Sequence, residues 1–114
     1  MIMVTIPKKL INASYKMSLN AMRLRALAFM RLTPFDYLIG APPITISAVD
    51  WRKVFVDSEQ SYRDLKRAAK AFSKATVLFK GENKRVKFLD KTEYRSGAGS
   101  VVLHFNREFL LLCL

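Results

Sequence analysis

The segment Ser61–Lys80, SYRDLKRAAKAFSKATVLFK, carries two opposed stripes on one helical period. Tyr62, Leu65, Ala69 and Phe72 recur at i, i+3, i+7 and i+10, the spacing of a face packed on a core. Arg63, Arg67, Lys70 and Lys74 occupy the other side. Counting Lys66, five basic residues stand between Arg63 and Lys74 against a single acid, Asp64. A merely solvated helix mixes its signs more evenly, in acid-base pairs four apart. A face of one sign suits a polyanion.

Upstream of this helix, Ser47 with Asp50 three residues later opens a shorter one, whose apolar positions Ala48, Trp51, Val54 and Phe55 share a face. Asp57 with Gln60 is a second capping pair, so helix, tight turn and helix succeed each other with only Val56–Ser58 between them. This is helix-turn-helix spacing. Ahead of it, Lys8–Tyr15 reads as a short helix behind Pro7, and Ser18 caps a central core helix from Leu19 to about Leu32. Pro34 ends that helix, and Thr33–Pro43, with three of the four prolines, reads as a loop leading to an alternating strand, Ile44–Ser47. Downstream, Thr76–Lys80, Lys84–Leu89 and Ser100–Phe105 are strand candidates, with turns at Gly81–Asn83 and Arg95–Ser100. Asn106 then caps a final apolar helix. The order predicts an α+β winged helix with about five helices and a small antiparallel sheet.

In the predicted hairpin wing, Lys84, Arg85 and Lys87 add basic charge, with Lys91 beside them. Strand alternation turns Arg85 and Lys87 away from Val86 and Phe88. Glu82, Asp90 and Glu93 dilute this patch. Trp51, Tyr62, Phe72, Phe79 and Phe88 fall at core periods and read as packing, not as platforms for bases.

At 114 residues the chain is one domain, and with half of its residues hydrophobic it is expected to fold, so its net charge of +11 belongs to a folded surface. The charge is concentrated between Trp51 and Ser100, where thirteen basic residues face six acidic ones. Such a field attracts nucleic acid first and anionic lipid second. The most apolar helix, Met22–Leu32, is too short for a bilayer and holds Arg23, Arg25 and Arg31. With one cysteine, Cys113, and no signal-peptide pattern, a reducing cytosol is the expected location.

Signs of catalysis are missing from the sequence. His104 is the lone histidine, in an apolar strand, and one His with one Cys cannot build a zinc site of the usual composition. There is no phosphate loop, and RSGAGS lies between strands, where glycines make a turn. The expectation is a binding module without cofactor or metal. A different reading is self-association, with the Ile44, Thr45, Ile46 and Ser47 strand pairing at an edge across a two-fold axis. The apolar end, Phe109 to Leu114, suggests a domain of a longer protein, because one short helix cannot bury all of those side chains.

The succession LINASYKMSLNAMRLRALAFM, ITISAVDWRKVF, SYRDLKRAAKAF and EYRSGAGSVVLHFNREFL resembles the N-terminal winged-helix domain of plasmid replication initiators, the Rep proteins of iteron-containing and related theta-replicating plasmids. The likeness runs in order from about Lys9 to Leu112. It implies a module that binds double-stranded DNA at plasmid origin repeats and forms a homodimer, within a two-domain initiator whose second domain does most of the sequence reading. Dimers of such initiators repress their own promoter and monomers activate the origin, with host replication proteins as further partners. By the same likeness Arg63, Lys66, Arg67, Lys70 and Lys74 lie on the second helix of the motif, and Lys84, Arg85 and Lys87 on its hairpin. Ala75 and Phe88 depart from the family, which often has Arg and Trp there, so local contacts and wing packing should differ in detail.

Overall fold

A computed structural model describes residues 14–15, 17–55 and 60–114. Five α-helices lie among them: α1 Leu19–Phe29, α2 Pro34–Ile39, α3 Ala48–Val54, α4 Ser61–Lys74 and α5 Arg107–Leu112. Six strands interleave with them: β1 Ser14–Tyr15, β2 Ile44–Ser47, β3 Thr76–Leu78, β4 Val86–Lys87, β5 Leu89–Arg95 and β6 Ser100–Phe105. They form two antiparallel sheets of order β1-β3-β4 and β2-β6-β5.

Ser18 caps α1 by accepting a hydrogen bond from the Ala21 N–H at 3.2 Å. The helix is central: Ala21, Leu24, Leu27, Ala28 and Phe29 are buried, and it packs along α4. It closes at Phe29, three residues earlier than its apolar run suggests, which frees Arg31 to reach β2 and α3.

Two local expectations are overturned. Thr33–Pro43 is not all loop, because Pro34 starts α2, where its fixed φ and missing N–H cost nothing, and the Asp36 carboxylate accepts from the Thr33 N–H at 2.7 Å. The expected helix over Lys8–Tyr15 gives way at Ser14 and Tyr15 to strand β1, paired with Leu78 and Val77. The rest of that segment lies outside the described residues, as do Val56–Ser58 of the predicted tight turn and the Asp57 half of its capping pair.

Between α3 and α4 on one side and β5-β6 on the other lies the aromatic part of the core. Trp51 is fully buried with its ring 4.7 Å from Phe55. Phe72 of α4 meets Phe88 at 5.2 Å, and Phe88 meets Phe109 of α5 at 4.7 Å. One helix, the junction of the two sheets and the last helix are thus joined through three rings, each burial contributing about 1.5–3 kcal/mol.

The topology relocates the wing. β2 precedes the helix pair and β5-β6 follows it, and these three strands form one sheet. The hairpin of the winged helix is therefore β5-β6, with its tip at Ser96–Gly99, and not the β3-β4 hairpin that holds Lys84, Arg85 and Lys87. That hairpin belongs to the other sheet, with β1. Strand β5 was missed by periodicity because Asp90, Lys91, Glu93 and Arg95 interrupt it; Thr92 and Tyr94 stand opposite Leu103 and Val101, Thr92 half-buried and Tyr94 exposed.

Candidate nucleic-acid interface

Leu65, Ala68, Ala69 and Phe72 of α4 are fully buried. At 100° per residue, Arg63, Arg67, Lys70 and Lys74 fall within roughly 60° of one another on the opposite side, and all four are exposed. The stripe read from the sequence is thus the solvent face of the helix. At its start the Arg63 guanidinium donates to Gln60 Oε1 at 2.6 Å, which aligns that side chain along the helix. Gln60 is the N-cap residue, but its side chain makes no capping bond.

Lys66 sits on a flank of the stripe that turns toward β5. Its ammonium lies 5.9 Å from the centre of the Tyr94 ring. Burial holds the Tyr94 hydroxyl above its ordinary pKa, so the ring stays neutral beside that cation. On the same flank the Tyr62 and Ser96 hydroxyls are 3.1 Å apart. The hairpin tip is held from the other helix too, since the Ala48 N–H donates to Gly99 O at 2.8 Å. Gly99 takes φ 59°, a left-handed conformation that glycine adopts without a Cβ penalty. Arg95, exposed at the end of β5, follows Tyr94 and so turns to the other face of the hairpin, where its charge acts on Glu93.

The other predicted basic residues divide. Lys87 is the strand partner of Thr76, two residues beyond Lys74, and Arg85 donates to Thr76 Oγ1 at 3.4 Å. Both are exposed and prolong the surface past the end of α4. Lys84 instead pairs with Glu108 of α5 at 3.0 Å. Lys91 approaches Glu93 at 3.7 Å, and Glu93 also bonds His104 Nε2 at 2.9 Å. His104 is accordingly a cross-strand partner on the wing.

Ile44–Ser47 forms an edge of its sheet, with Ile44 and Ile46 turned into the core and Thr45 outward. Among the described residues no helix is long and apolar enough to cross a membrane.

Comparison with known proteins follows the same lines. A family model described as "Initiator Replication protein, WH1" matches residues 3–113. A crystal structure of Pi initiator protein in complex with iteron DNA superposes with a TM-score of 0.70 at 19% identity, covering 84% of this chain and 43% of that one. The chain therefore spans less than half the length of that initiator. The WH1 domain of MSBI1.176, a replication protein isolated from a multiple sclerosis patient, superposes with a TM-score of 0.65 at 18% identity, covering 86% of this chain and 81% of that one. A search among curated proteins found no match.

Proposed function

Because the chain belongs to the initiator replication protein WH1 family, we propose that it binds duplex DNA at a plasmid origin, as a non-catalytic module in the initiation of replication and its autoregulation. The observation that carries this reading is the exposed one-signed face of α4, Arg63, Arg67, Lys70 and Lys74, continued by Arg85 and Lys87 at one end and by Lys66 beside the wing. The similar Pi initiator is bound to iteron DNA. A cytosolic setting follows from such a role.

Phosphates are the main target. The surface offers long cations on a helix face and a hairpin, and the exposed Tyr94 ring beside it lies against the Lys66 ammonium. Each neutralised phosphate contributes about −0.9 to the slope of log K against log salt, so four to six contacts give a slope of about −4 to −5. Replacing Arg67 and Lys70 together by Ala should flatten that slope by about 2 units and weaken binding to unrelated duplexes alike. Unchanged affinity and slope would reduce the stripe to a solvated face.

A second reading, homodimerisation through Ile44–Ser47, is supported by the place of β2 at a sheet edge. It concerns another surface, so both activities can coexist in one module.

A further inference from the structure

Arg63 differs from the other cations on its face. Its guanidinium donates through Nη1 to Gln60 Oε1 at 2.6 Å, whereas among the described residues no such bond holds the side chain of Arg67, Lys70 or Lys74. Gln60 occupies the N-cap position of α4, yet its side chain caps no backbone N–H and is given to Arg63 instead. A phosphate accepts a cation over a wide range of geometries, and a mobile lysine serves it well. A base edge is more demanding. Guanine presents O6 and N7 side by side in the major groove, and a guanidinium must lie in their plane to bond both. The bond to Gln60 uses Nη1 and leaves the Nε and Nη2 edge, with its parallel N–H donors, for such a pair of acceptors.

Arg63 also stands where a base can be reached. It lies in the first turn of α4, the second helix of the helix-turn-helix, and the N-terminal residues of that helix meet base edges when it enters the major groove. From Arg63 to Lys74 the face runs about 16 Å at 1.5 Å per residue, longer than the groove's width of about 12 Å. With the first turn in the groove, the Lys74 end passes over a phosphate backbone, where Arg85 and Lys87 prolong the surface. We infer that Arg63 reads a guanine and that Gln60 is the positioning residue that sets the plane of its guanidinium. This rests on the proposed DNA contact of α4 and adds one base to a surface otherwise directed at phosphates.

Selection from a random-sequence duplex pool with the wild-type chain should converge on sites that share one guanine. In a selected duplex, exchanging that G·C pair for A·T should weaken wild-type binding by roughly 5- to 150-fold, the effect of one bidentate pair. Substituting 7-deazaguanine there, which removes the N7 acceptor and keeps charge and pairing, should weaken it as well. Arg63→Ala should bind the two duplexes alike. Arg63→Lys keeps the charge, hence the salt slope, and should lose most of the discrimination. Gln60→Ala should leave the salt slope and the affinity for unrelated duplexes in place while narrowing the same ratio, which a merely structural role for Gln60 would not do. Duplex binding with a steep salt slope but no shared guanine, or a guanine preference that survives Arg63→Ala, overturns base reading and leaves the phosphate contacts standing. An unchanged ratio in Gln60→Ala overturns the positioning role. A chain that binds no duplex overturns the DNA reading itself, and this inference with it.

Discussion

The hydroxyls of Tyr62 and Ser96 meet at 3.1 Å, fastening the first turn of α4 to the tip of the β5-β6 hairpin. With the Ala48 N–H bonded to Gly99 O, the tip is tied to both helices of the helix-turn-helix. The wing and the basic helix therefore form one preorganised surface. Removing the hydroxyl in Tyr62→Phe should cost at most about 0.5–1.5 kcal/mol of global stability, because the pair is solvent-exposed. Its effect should be local: faster hydrogen exchange at the Gly99 amide, which bonds Ser96 O across the tip. Ser96→Ala should reproduce that change, and the double variant should add little to either alone.

Lys84 and Lys87 lie on one hairpin but should differ as DNA contacts. Both are exposed, but Lys84 is paired with Glu108 whereas Lys87 stands beside the end of α4. Lys87→Ala should reduce the salt slope of duplex binding by about 1 unit, and Lys84→Ala by much less. Glu108→Ala should release Lys84 and move its contribution toward that of Lys87. Equal effects of the two lysine substitutions would show that the ion pair does not divert Lys84.

The elements readable in the sequence were those whose cause is local. Ser18 and the Ser47–Asp50 box cap their helices as their spacing implies, and Leu65, Ala69 and Phe72 are buried at helical period. Arg85 and Lys87 are exposed and Val86 and Phe88 buried, as strand alternation requires. Strand β1 was illegible because its two residues are strand only through pairing with Val77 and Leu78, more than sixty positions away. Strand β5 hid behind its charges, since at a sheet edge its outer side needs no apolar residues. The wing was misplaced for the same reason: pairing with β2 is a tertiary fact, and it made β5-β6, not β3-β4, the hairpin beside the helix-turn-helix. Pro34 shows the ambiguity of a single residue, able both to follow one helix and to open the next.

Phe72 is the residue on which core and interface depend together. It is fully buried on the inner side of α4, with its ring near both Phe88 and Phe105. Phe72→Ala should destabilise the domain by about 3–5 kcal/mol, through lost burial and the cavity left behind. Chemical denaturation should show a lower midpoint with an unchanged slope. Phe72→Leu should recover much of the loss.

Asp50 should set part of the domain's sensitivity to acid. The Ser47 N–H holds its carboxyl below the ordinary value of 3.8; burial opposes this, and the Ser47 hydroxyl and Arg31 add to the lowering. The folded state thus binds this proton less readily than the unfolded chain does. Stability from Asp50 is fully present above the unfolded-state value of 3.8 and is lost as pH falls through the lower folded-state value. Denaturation midpoints measured from neutral pH downward should fall in that acidic window for wild type. Asp50→Asn keeps an acceptor for the α3 cap but has no proton to gain, so its midpoint should be lower near neutrality and should lose this part of the acid dependence. Parallel curves for the two proteins would mean that the carboxylate's charge, and with it the pairing to Arg31, contributes nothing to folding.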